Sequence, residues 1–449
     1  MEKQLPKNWV LLPFTEIFDI NGGTQPPKAV FIDEPKEGYI RLLQIRDFGK
    51  KPVPTYIPDT GKLMTCKKDD ILIARYGASI GRIVTGMDGS YNVALAKVSV
   101  PENMNKNFVK WLLKSNLFQE PILSIQRTAQ NGFNKTDLAA IYVPLPPLPE
   151  QHRIVAKLDM LFAQLETIKN SMANIPLLLK DLRQQMLTQA VTGKLTEEWR
   201  KGKELDEWKK ILLNDICDSI TDGDHQAPPQ VNEGIPFLVI SNVSKGYFEF
   251  EKVSRFVSQE YYNSLKDTRK AKKGDILYTV TGSYGIPILV DFNKEFCFQR
   301  HIAILRPDNN KVYSNFIKIL LQSDLIFTQA RNVATGTAQL TVPLGGIKKF
   351  EVNLPTPKEQ QEIVRRVESL FAKADTIEQQ YKTLKVSIDT LPQAILHKAF
   401  KGELTEQLDT DGDARELLKA IAELKNIKVS KPKTYKVPKE KLRMVTEGL

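Results

Sequence analysis

The stretch LPPLPEQHRIV at residues 145–155 recurs as LPTPKEQQEIV at residues 354–364. Each stretch opens a longer segment: 145–197 aligns with 354–406 without a gap, 209 residues apart, and 19 of the 53 paired positions are identical. A repeat with so long a period does not fit a solenoid and indicates a duplicated half. The sequence therefore predicts two similar globular parts, each followed by the same helical segment.

Both copies carry apolar residues at alternating steps of four and three, which is the heptad pattern of a coiled coil. The alternative is an ordinary amphipathic helix packed on its own domain, but such helices usually show a wider apolar face. We expect the two helices to pack on each other, each roughly 48 Å long if about 32 residues rise about 1.5 Å each. The heptad positions are Ile154, Leu158, Leu161, Leu165, Ile168, Met172, Ile175, Leu179, Leu182 and Met186, then Ile363, Val367, Leu370, Ala374, Ile377, Tyr381, Leu384, Ile388, Leu391 and Ile395.

Proline and glycine punctuate these helices. Pro176 and Pro392 are not at equivalent positions of the repeat, so we expect kinks at different heights. Gly193 and Gly402 are each followed by Leu-Thr-Glu, and they fit glycine caps at the ends of the two helices.

Short β-patterned runs separated by turn signals dominate the globular parts. The predicted strands are 39–45, 70–74, 93–100, 235–240, 275–280 and 296–305. The predicted fold class is α+β: two similar mixed α/β domains separated by a pair of long antiparallel coiled-coil helices, with pseudo-twofold symmetry. The predicted boundaries are 1–143 and 208–352 for the domains, 144–197 and 353–406 for the helical regions, 198–207 for a linker, and 407–449 for a C-terminal helix near 414–424 with a basic tail.

The composition bounds the kind of protein. A chain of 449 residues with 41% hydrophobic residues can form two packed cores, and its net charge of +11 favours a polyanion such as nucleic acid over a membrane. The three cysteines lie far apart, which argues against a disulfide framework or a CxxC metal site and suits a reducing compartment. No run of 18 uninterrupted apolar residues and no signal-peptide pattern occur, so we expect a soluble cytoplasmic protein.

Motifs for catalysis are missing from the sequence. It has no GxxxxGK[ST] phosphate loop, strand-borne GxGxxG, HExxH, GxSxG or kinase signature, and no Asn/Asp-Pro-Pro-aromatic element of amino-methyltransferases. The four histidines lie too far apart in sequence to suggest a local site. We therefore expect a non-catalytic protein without a metal site.

Polar and basic residues at predicted strand ends and loops suit DNA recognition. Arginine and lysine pair with guanine, asparagine and glutamine pair with adenine, and further cations neutralise phosphates. A solvated loop position is the alternative for any single member. The candidates in the first half are Gln44, Arg46, Arg75, Tyr76, Arg82, Asn92, Arg127, Gln130, Asn131, Asn134 and Lys135. Those in the second half are His225, Asn242, Lys245, Thr281, Ser283, Tyr284, Gln299, Arg300, His301, Arg331, Thr337 and Gln339.

The two helix starts and ends resemble the specificity subunit of a type I restriction-modification enzyme. The family's pattern is present as PPLPEQHRIV at 146–155 with AVTGKLT at 190–196. It recurs as PTPKEQQEIV at 355–364 with AFKGELT at 399–405, where a Thr-Pro pair replaces the family's Pro-Leu. The resemblance covers nearly the whole chain.

The resemblance implies two target-recognition domains, each reading one half of a split site in double-stranded DNA. It implies two methyltransferase subunits docked on the helical region and translocase-endonuclease subunits joining for cleavage. S-adenosylmethionine, ATP and Mg²⁺ would belong to those partners, with no cofactor on this chain. The residues of the shared motifs that we assign to subunit docking are Pro146, Glu150, Gln151, Phe162, Gly193, Glu359, Gln360, Phe371 and Gly402.

The residues themselves indicate a compatible mechanism. Two similar domains about one helical turn apart, roughly 34 to 36 Å, can meet successive major-groove faces of DNA. Because the loop residues of the two halves differ, the two halves of the target should differ as well. The alternative is a non-catalytic coiled-coil scaffold that does not bind DNA, which accounts for the heptads but not for the net charge or the polar loops.

Overall fold

The structure is a computed structural model that describes residues 5–126, 132–223 and 228–424. These residues form two compact units, which do not follow the linear order of the chain. Unit 1 combines the described residues up to Met172 with those from Leu384 onward, and unit 2 spans Ala173–Thr383. The prediction of two similar mixed α/β parts with long helices is confirmed, and each unit is described below by itself.

Unit 1 contains three small sheets. The strands are β1 (Val10–Pro13), β2 (Asp19–Gly22), β3 (Tyr39–Leu43), β4 (Tyr56–Pro58), β5 (Thr65–Cys66), β6 (Ile71–Ala74), β7 (Ile83–Val84), β8 (Gly89–Tyr91), β9 (Leu95–Ser99) and β10 (Tyr142–Leu145). They pair in the orders β1-β10, β2-β9-β6-β7 and β4-β3-β8-β5. The β3–β8 pair is parallel and the other strand pairs of unit 1 are antiparallel.

Helices cover the sheets of unit 1. They are α1 (Phe14–Ile17), α2 (Lys106–Lys114), α3 (Asn116–Gln126), α4 (Lys135–Ala139) and α5 (Leu148–Met172). The apolar face of α2 contributes Phe108 and Leu112 to a core that also contains Leu158 of α5. Phe400, far along the sequence, packs its ring edge against Phe108 with centroids 5.5 Å apart. The core of unit 1 is therefore built from both ends of the chain.

Unit 2 repeats this arrangement. Its strands are β11 (Lys209–Leu212), β12 (Cys217–Asp222), β13 (Ile235–Leu238), β14 (Phe256–Val257), β15 (Ile276–Thr279), β16 (Pro287–Leu289), β17 (Cys297–Phe298), β18 (Ile302–Pro307) and β19 (Glu351–Leu354). They pair in the orders β11-β19, β12-β18-β15-β16 and β14-β13-β17, with β13 and β17 parallel. The sheet orders match those of unit 1, except that β5 has no counterpart among the described strands.

The helices after α5 are α6 (Ile175–Val191), α7 (Glu197–Arg200), α8 (Gln259–Ser264), α9 (Ser314–Gln322), α10 (Asp324–Val333), α11 (Leu344–Lys348), α12 (Pro357–Phe400) and α13 (Ala414–Leu424). Of these, α6 to α11 lie in unit 2, α12 contributes residues to both units, and α13 belongs to unit 1. The core of unit 2 includes Leu187 and Val191 of α6 together with Ile363 and Val367 of α12. The helix predicted near residues 414–424 is α13, and the basic tail beyond it lies outside the described residues.

The two predicted rods differ in continuity. The first is divided at Ala173 and Asn174 into α5 and α6, because Pro176 occupies the first turn of a new helix, where its missing N–H costs nothing. The second rod, α12, continues through Pro392. A proline therefore interrupts only the first of the two helices.

The rods pair with each other within each unit and run antiparallel. In unit 2, Arg183 of α6 donates to Asp375 of α12 at 2.6 Å, while Arg366, nearer the start of α12, donates to the Leu195 carbonyl beyond the end of α6. In unit 1, Lys169 Nζ of α5 lies 3.8 Å from Asp389 Oδ1 of α12. The ends of these helices also pack into the domain cores. The same helices therefore pack on each other, as in a coiled coil, and on their own domains, as ordinary amphipathic helices do.

A fully buried glutamate fastens each helix start. Glu150, near the start of α5, accepts hydrogen bonds from Trp9 Nε1 at 2.7 Å, Gln407 Nε2 at 2.6 Å and Thr405 Oγ1 at 3.1 Å. Burial raises the pKa of Glu150, and these hydrogen bonds oppose the rise by favouring the charged form. Glu150 thus joins the first strand region, α5 and the segment that follows α12.

Glu359 occupies the equivalent position in unit 2. Its carboxylate is fully buried, accepts from Thr196 Oγ1 at 2.6 Å and pairs with the Arg200 guanidinium. Thr196 is the repeat partner of Thr405, which binds Glu150 in unit 1. In both units, therefore, the segment after one long helix is bound at the start of the other long helix.

The neighbouring glutamines and glycines repeat the same contacts. Gln151 accepts from the Asn105 N–H at 3.1 Å, and Gln360 accepts from the Tyr313 N–H at 2.9 Å. Each amide also donates at 3.0 Å to a carbonyl five residues earlier. The glycine caps face tryptophan side chains: a Cβ on Gly193 would be 3.4 Å from the Trp208 ring, and one on Gly402 would be 2.4 Å from Pro6 Cγ and 3.6 Å from Trp9. These motifs form a packed junction in each unit.

Candidate nucleic-acid interface

In unit 1 the parallel strands β3 and β8 bring two amide side chains together. Gln44 directly follows β3, and Asn92 directly follows β8. The Asn92 N–H donates to the carbonyl of Leu43, the last residue of β3, at 3.1 Å. Two residues 48 positions apart in the sequence therefore lie side by side at the carboxyl ends of neighbouring strands.

Arg75 and Tyr76 join this pair from the end of β6. The Arg75 guanidinium lies over the Tyr76 ring at 5.1 Å, and its Nη1 would be 3.0 Å from a Cβ placed on Gly22. A Cβ on Gly23 would be only 2.2 Å from the Asn92 carbonyl oxygen, so only glycine fits there. Gln44, Arg75, Tyr76 and Asn92 form what we call cluster 1.

Cluster 1 contains polar atoms without partners. Gln44 Nε2, Arg75 Nε and Asn92 Oδ1 are buried, and none has a hydrogen-bond partner among the described residues. Buried polar groups are usually paired, and an unpaired one costs roughly 1 to 3 kcal/mol. Two donors and one acceptor of cluster 1 are therefore unpaired in the described part of the chain.

The other candidates of the first half have partners inside the chain. Arg46 donates to Thr55, Arg82 donates to the Phe48 carbonyl, and the Asn134 side chain caps α4. Lys135 forms an exposed ion pair with Asp19 at 2.9 Å. Arg127, Gln130 and Asn131 lie outside the described residues.

Unit 2 has an equivalent site at the carboxyl ends of its parallel strands β13 and β17. We call this site, and the one at the ends of β3 and β8 in unit 1, the corner of each unit. Gln299 follows β17, and its N–H donates at 3.2 Å to the carbonyl of Leu238, the last residue of β13. A Cβ on Gly223 would be 2.1 Å from the Phe298 carbonyl oxygen, which repeats the close approach of Gly23 in unit 1. Gln299 therefore takes the place of Asn92, and Val239 takes that of Gln44.

Different side chains complete this corner in unit 2. His301 Nδ1 lies 3.0 Å from Thr281 Oγ1, and the Thr341 hydroxyl donates to the same oxygen at 3.2 Å. Burial, with Arg300 as a second cause, lowers the pKa of His301. We call Thr281, Gln299, Arg300, His301 and Thr341 cluster 2; its imidazole is neutral at neutral pH because its pKa lies below the usual 6.5.

Three other candidates of unit 2 are exposed beside cluster 2. Gly282 follows Thr281, and its N–H donates to the Leu340 carbonyl at 3.0 Å, which holds the loop after α10 against the end of β15. The exposed candidates on these two loops are Ser283, Thr337 and Gln339.

The remaining candidates of the second half serve other contacts or stand apart. Asn242 is 4% exposed and its Oδ1 accepts from the Val239 N–H, so this side chain closes a turn and does not face a ligand. Lys245 pairs with Glu249, and Tyr284 stacks on Phe327 with centroids 5.7 Å apart. Arg331 is exposed on α10, and His225 lies outside the described residues.

The residues assigned to subunit docking lie mostly inside the chain. Glu150, Gln151, Glu359 and Gln360 are fully buried in the junctions described above, and Gly193 and Gly402 pack against tryptophans there. Pro146 is buried as well, Phe162 stacks near Trp111 at 4.3 Å, and Phe371 packs on the core of unit 2. These residues stabilise the two units.

Sequence reasoning missed residues that only non-local pairing reveals. Asp47 is 1% exposed and accepts from the Gln44 N–H at 2.7 Å, which is the turn contact that Asn242 makes in unit 2. Thr341 reaches cluster 2 from a loop 40 residues away from His301. The short spacing of Gln44 and Asp47 was the one signal that could have identified the turn.

Many apolar side chains on the long helices are exposed. They include Ile168 on α5, Leu177, Leu178 and Leu182 on α6, and Ile377, Leu384, Val386 and Leu391 on α12, and these range from 37% to 66% exposed. Five of them, Ile168, Leu182, Ile377, Leu384 and Leu391, are heptad positions that were expected to pack between the helices. No helix in the described part of the chain combines the length and apolar character that a membrane span requires. Such apolar side chains on rigid helices are suited to contact other proteins.

The fold and the two clusters together define a duplicated recognition protein. The family described as type I restriction modification DNA specificity domain matches the chain twice, over residues 6–176 and 205–386. The chain therefore belongs to the specificity subunits of type I restriction-modification systems, and the two matched segments are its DNA specificity domains. This assignment fits the DNA-binding hypothesis and not the scaffold alternative.

Relatives of similar length agree with the assignment. The chain is 31% identical over 429 residues to the specificity subunit of the type I restriction enzyme EcoKI from Escherichia coli strain K12, covering 90% of this chain and 91% of the relative. It is 30% identical over 431 residues to the EcoBI specificity subunit of Escherichia coli, covering 89% and 87%. The HsdS subunit of Thermoanaerobacter tengcongensis shares the fold, with a TM-score of 0.61, 20% identity and coverage of 89% and 98%.

The free energy of unfolding can distinguish a polar side chain without a partner, such as Asn92, from one that holds a turn, such as Asn242. We expect Asn92→Leu to leave the free energy of unfolding within about 0.5 kcal/mol of the original or to raise it, because Asn92 Oδ1 has no partner. Asn242→Leu should cost about 1 to 3 kcal/mol, because it leaves the buried Val239 N–H unpaired. Urea unfolding of both variants measures the difference, and equal destabilisation would assign Asn92 a structural role.

Proposed function

We propose that each unit reads one half of an asymmetric, bipartite site in double-stranded DNA. The observation that supports this is the pair of equivalent corners, one in each unit, that share backbone contacts but carry different side chains. A shared frame gives both corners the same approach to a base pair, and different side chains give different base preferences. Because the two corners prefer different bases, the two halves of the DNA target differ in sequence.

The chemistry of each cluster indicates how the bases are read. In cluster 1, the amides of Gln44 and Asn92 match the donor and acceptor on the adenine edge, and Arg75 can donate twice to guanine. In cluster 2, Gln299 and Arg300 offer the same two kinds of contact beside His301. The surplus of positive charge, +11 for the chain, serves the phosphates and carries no sequence information.

The helical regions are proposed as the docking surface for two methyltransferase subunits and as the element that sets the length of the unspecified spacer. Exposed apolar side chains on α5, α6 and α12 support this role, since partners can bury them without opening either core. The buried glutamates are proposed to act indirectly: they hold the helix starts in place and do not contact the partners.

The bond chemistry is proposed to belong to the partners in the cytoplasmic complex. S-adenosylmethionine would be held by the methyltransferase subunits, and ATP and Mg²⁺ by the translocase-endonuclease subunits that join for cleavage. This chain would choose the site and perform no catalysis, in agreement with a sequence that lacks the motifs of those reactions.

Reciprocal variants test the division of the target. With the chain assembled with methyltransferase subunits, we expect Gln44→Ala with Arg75→Ala to relax only one half of the methylated motif. We expect Gln299→Ala with Arg300→Ala to relax only the other half. Each lost bidentate contact should reduce base discrimination by about 1 to 3 kcal/mol. Sequencing the methylated positions in random-sequence duplexes measures this, and a motif altered in both halves by either pair would contradict it.

Exposed leucines test the docking surface. Leu177 and Leu178 are 59% and 62% exposed, so replacing both by serine should leave the unfolding temperature unchanged. It should weaken binding of a methyltransferase subunit about tenfold or more, because two leucines lose their burial in the complex. Leu123→Ser on α3, at 44% exposure, is the matched control and should bind normally. Calorimetric titration decides, and unchanged binding by the double variant would exclude this part of α6.

A further inference from the structure

A chain of hydrogen bonds ends on His301 in cluster 2. The Thr341 hydroxyl donates to Thr281 Oγ1 at 3.2 Å, and Thr281 Oγ1 lies 3.0 Å from His301 Nδ1. Thr281 is 5% exposed, so water has little access to its hydroxyl. The imidazole is therefore held through two threonines from different parts of unit 2.

The direction of this chain determines which ring nitrogen carries the proton. Thr281 Oγ1 already accepts from Thr341, and its own single proton needs an acceptor because the hydroxyl is buried. His301 Nδ1 is one acceptor within reach and Thr341 Oγ1 is the other. If Nδ1 donated to Thr281 Oγ1, the Thr281 proton would turn to Thr341 Oγ1 and the ring proton would lie on Nδ1. In the arrangement where Thr341 donates to Thr281 and Thr281 donates to Nδ1, the neutral ring carries its proton on Nε2.

The backbone holds all three residues in place. The His301 carbonyl accepts from the Val280 N–H at 2.9 Å, which fixes the histidine against the end of β15. Thr341 pairs with Thr281 as an isolated bridge, and the next residue, Val342, donates to the Val280 carbonyl at 2.8 Å. The imidazole thus stands on a rigid support, as a side chain that discriminates between bases requires.

The free side of the ring suits an uncharged acceptor. His301 Nε2 has no partner among the residues described for unit 2, and the neighbouring Gln299 and Arg300 lie at the same corner. Burial and Arg300 keep the imidazole neutral, so it offers one N–H without a positive charge. A phosphate would favour the charged form, whereas a base edge needs only the directed donor.

We propose that His301 is a specificity-determining residue of unit 2, held by Thr281 and Thr341 as the Nε2–H tautomer and donating to an acceptor on the major-groove edge of one base pair. Acceptors there are purine N7, guanine O6 and thymine O4. Thr281 and Thr341 are positioning residues. This inference rests on the proposed function and adds to it one donor, its tautomer and its support.

Unit 1 provides an internal control for the inference. Ala94 occupies the position of His301, since its carbonyl accepts from the Arg75 N–H at 2.8 Å as the His301 carbonyl accepts from Val280. Alanine cannot donate from its side chain. Changes at His301 should therefore alter the half-site of unit 2 and leave the half-site of unit 1 as a measure of intact folding and assembly.

The test is the methylation of random-sequence duplexes by the full chain assembled with methyltransferase subunits. We expect His301→Asn to reduce discrimination about tenfold at one base pair of one half-site, because the donor at the Nε2 position is lost. His301→Gln, which retains an N–H near that position, should keep most of the preference. Thr281→Val should relax the same base pair, and Thr281→Ser should restore it.

Base analogues then identify the acceptor. A duplex with 7-deazapurine at the affected position should bind the original chain about tenfold more weakly if N7 is the acceptor, and His301→Asn should not distinguish it from the normal base. An undiminished affinity, at a base pair that His301→Asn relaxes, would assign the contact to a carbonyl oxygen, O6 or O4. An undiminished affinity together with an unchanged preference in His301→Asn would overturn the base contact.

Two kinds of failure are distinguishable. If the original chain yields no bipartite motif, the proposed function fails. If the original chain yields one and His301→Asn preserves every position, or weakens all sequences equally while the half-site of unit 1 stays selective, the base-reading role of His301 is overturned. Loss of preference in Thr281→Ser equal to that in Thr281→Val would overturn the positioning role.

Discussion

The two buried glutamates, Glu150 and Glu359, are the constraint on which both units depend. A carboxylate without solvent is costly unless several donors surround it, and each glutamate obtains its donors from a segment remote in sequence. The helix starts are therefore stable only when the segment after the other helix is bound beside them. Glu150 uses neutral donors and has a raised pKa, whereas Glu359 uses the Arg200 cation.

The residues that hold the frame of each unit are distinct from the residues at its corner. The junction residues repeat between the units, as do the sheet orders and the close approach of Gly23 and Gly223 to the strand beside them. The corners that these frames hold have diverged, with Gln44, Asn92 and Arg75 in one and Gln299, His301 and Thr281 in the other. A frame shared by both units with different side chains would allow one fold to read two unlike sequences.

The sequence predicted the repeated helices well, because heptad spacing and the glycine caps are local signals. Other features depend on non-local pairing that no periodicity records. The run 296–305 was predicted as one strand, but it divides at residues 299–301 because the Gln299 N–H turns toward Leu238. Asn242 carries the chemistry of a base contact, yet its burial made it part of a turn. Cluster 1 likewise depends on the parallel pairing of β3 with β8.

Hydrogen–deuterium exchange on the full chain tests the glutamate junctions most directly. Glu150→Gln keeps the shape of the side chain but offers donors an amide group in place of one acceptor oxygen. We expect faster exchange near Trp9 and over residues 402–424, with the region around Thr196 unchanged. Glu359→Gln should do the reverse, loosening residues 193–212 alone. Unchanged exchange at a variant's own junction, or a uniform rise throughout the chain, would contradict the account.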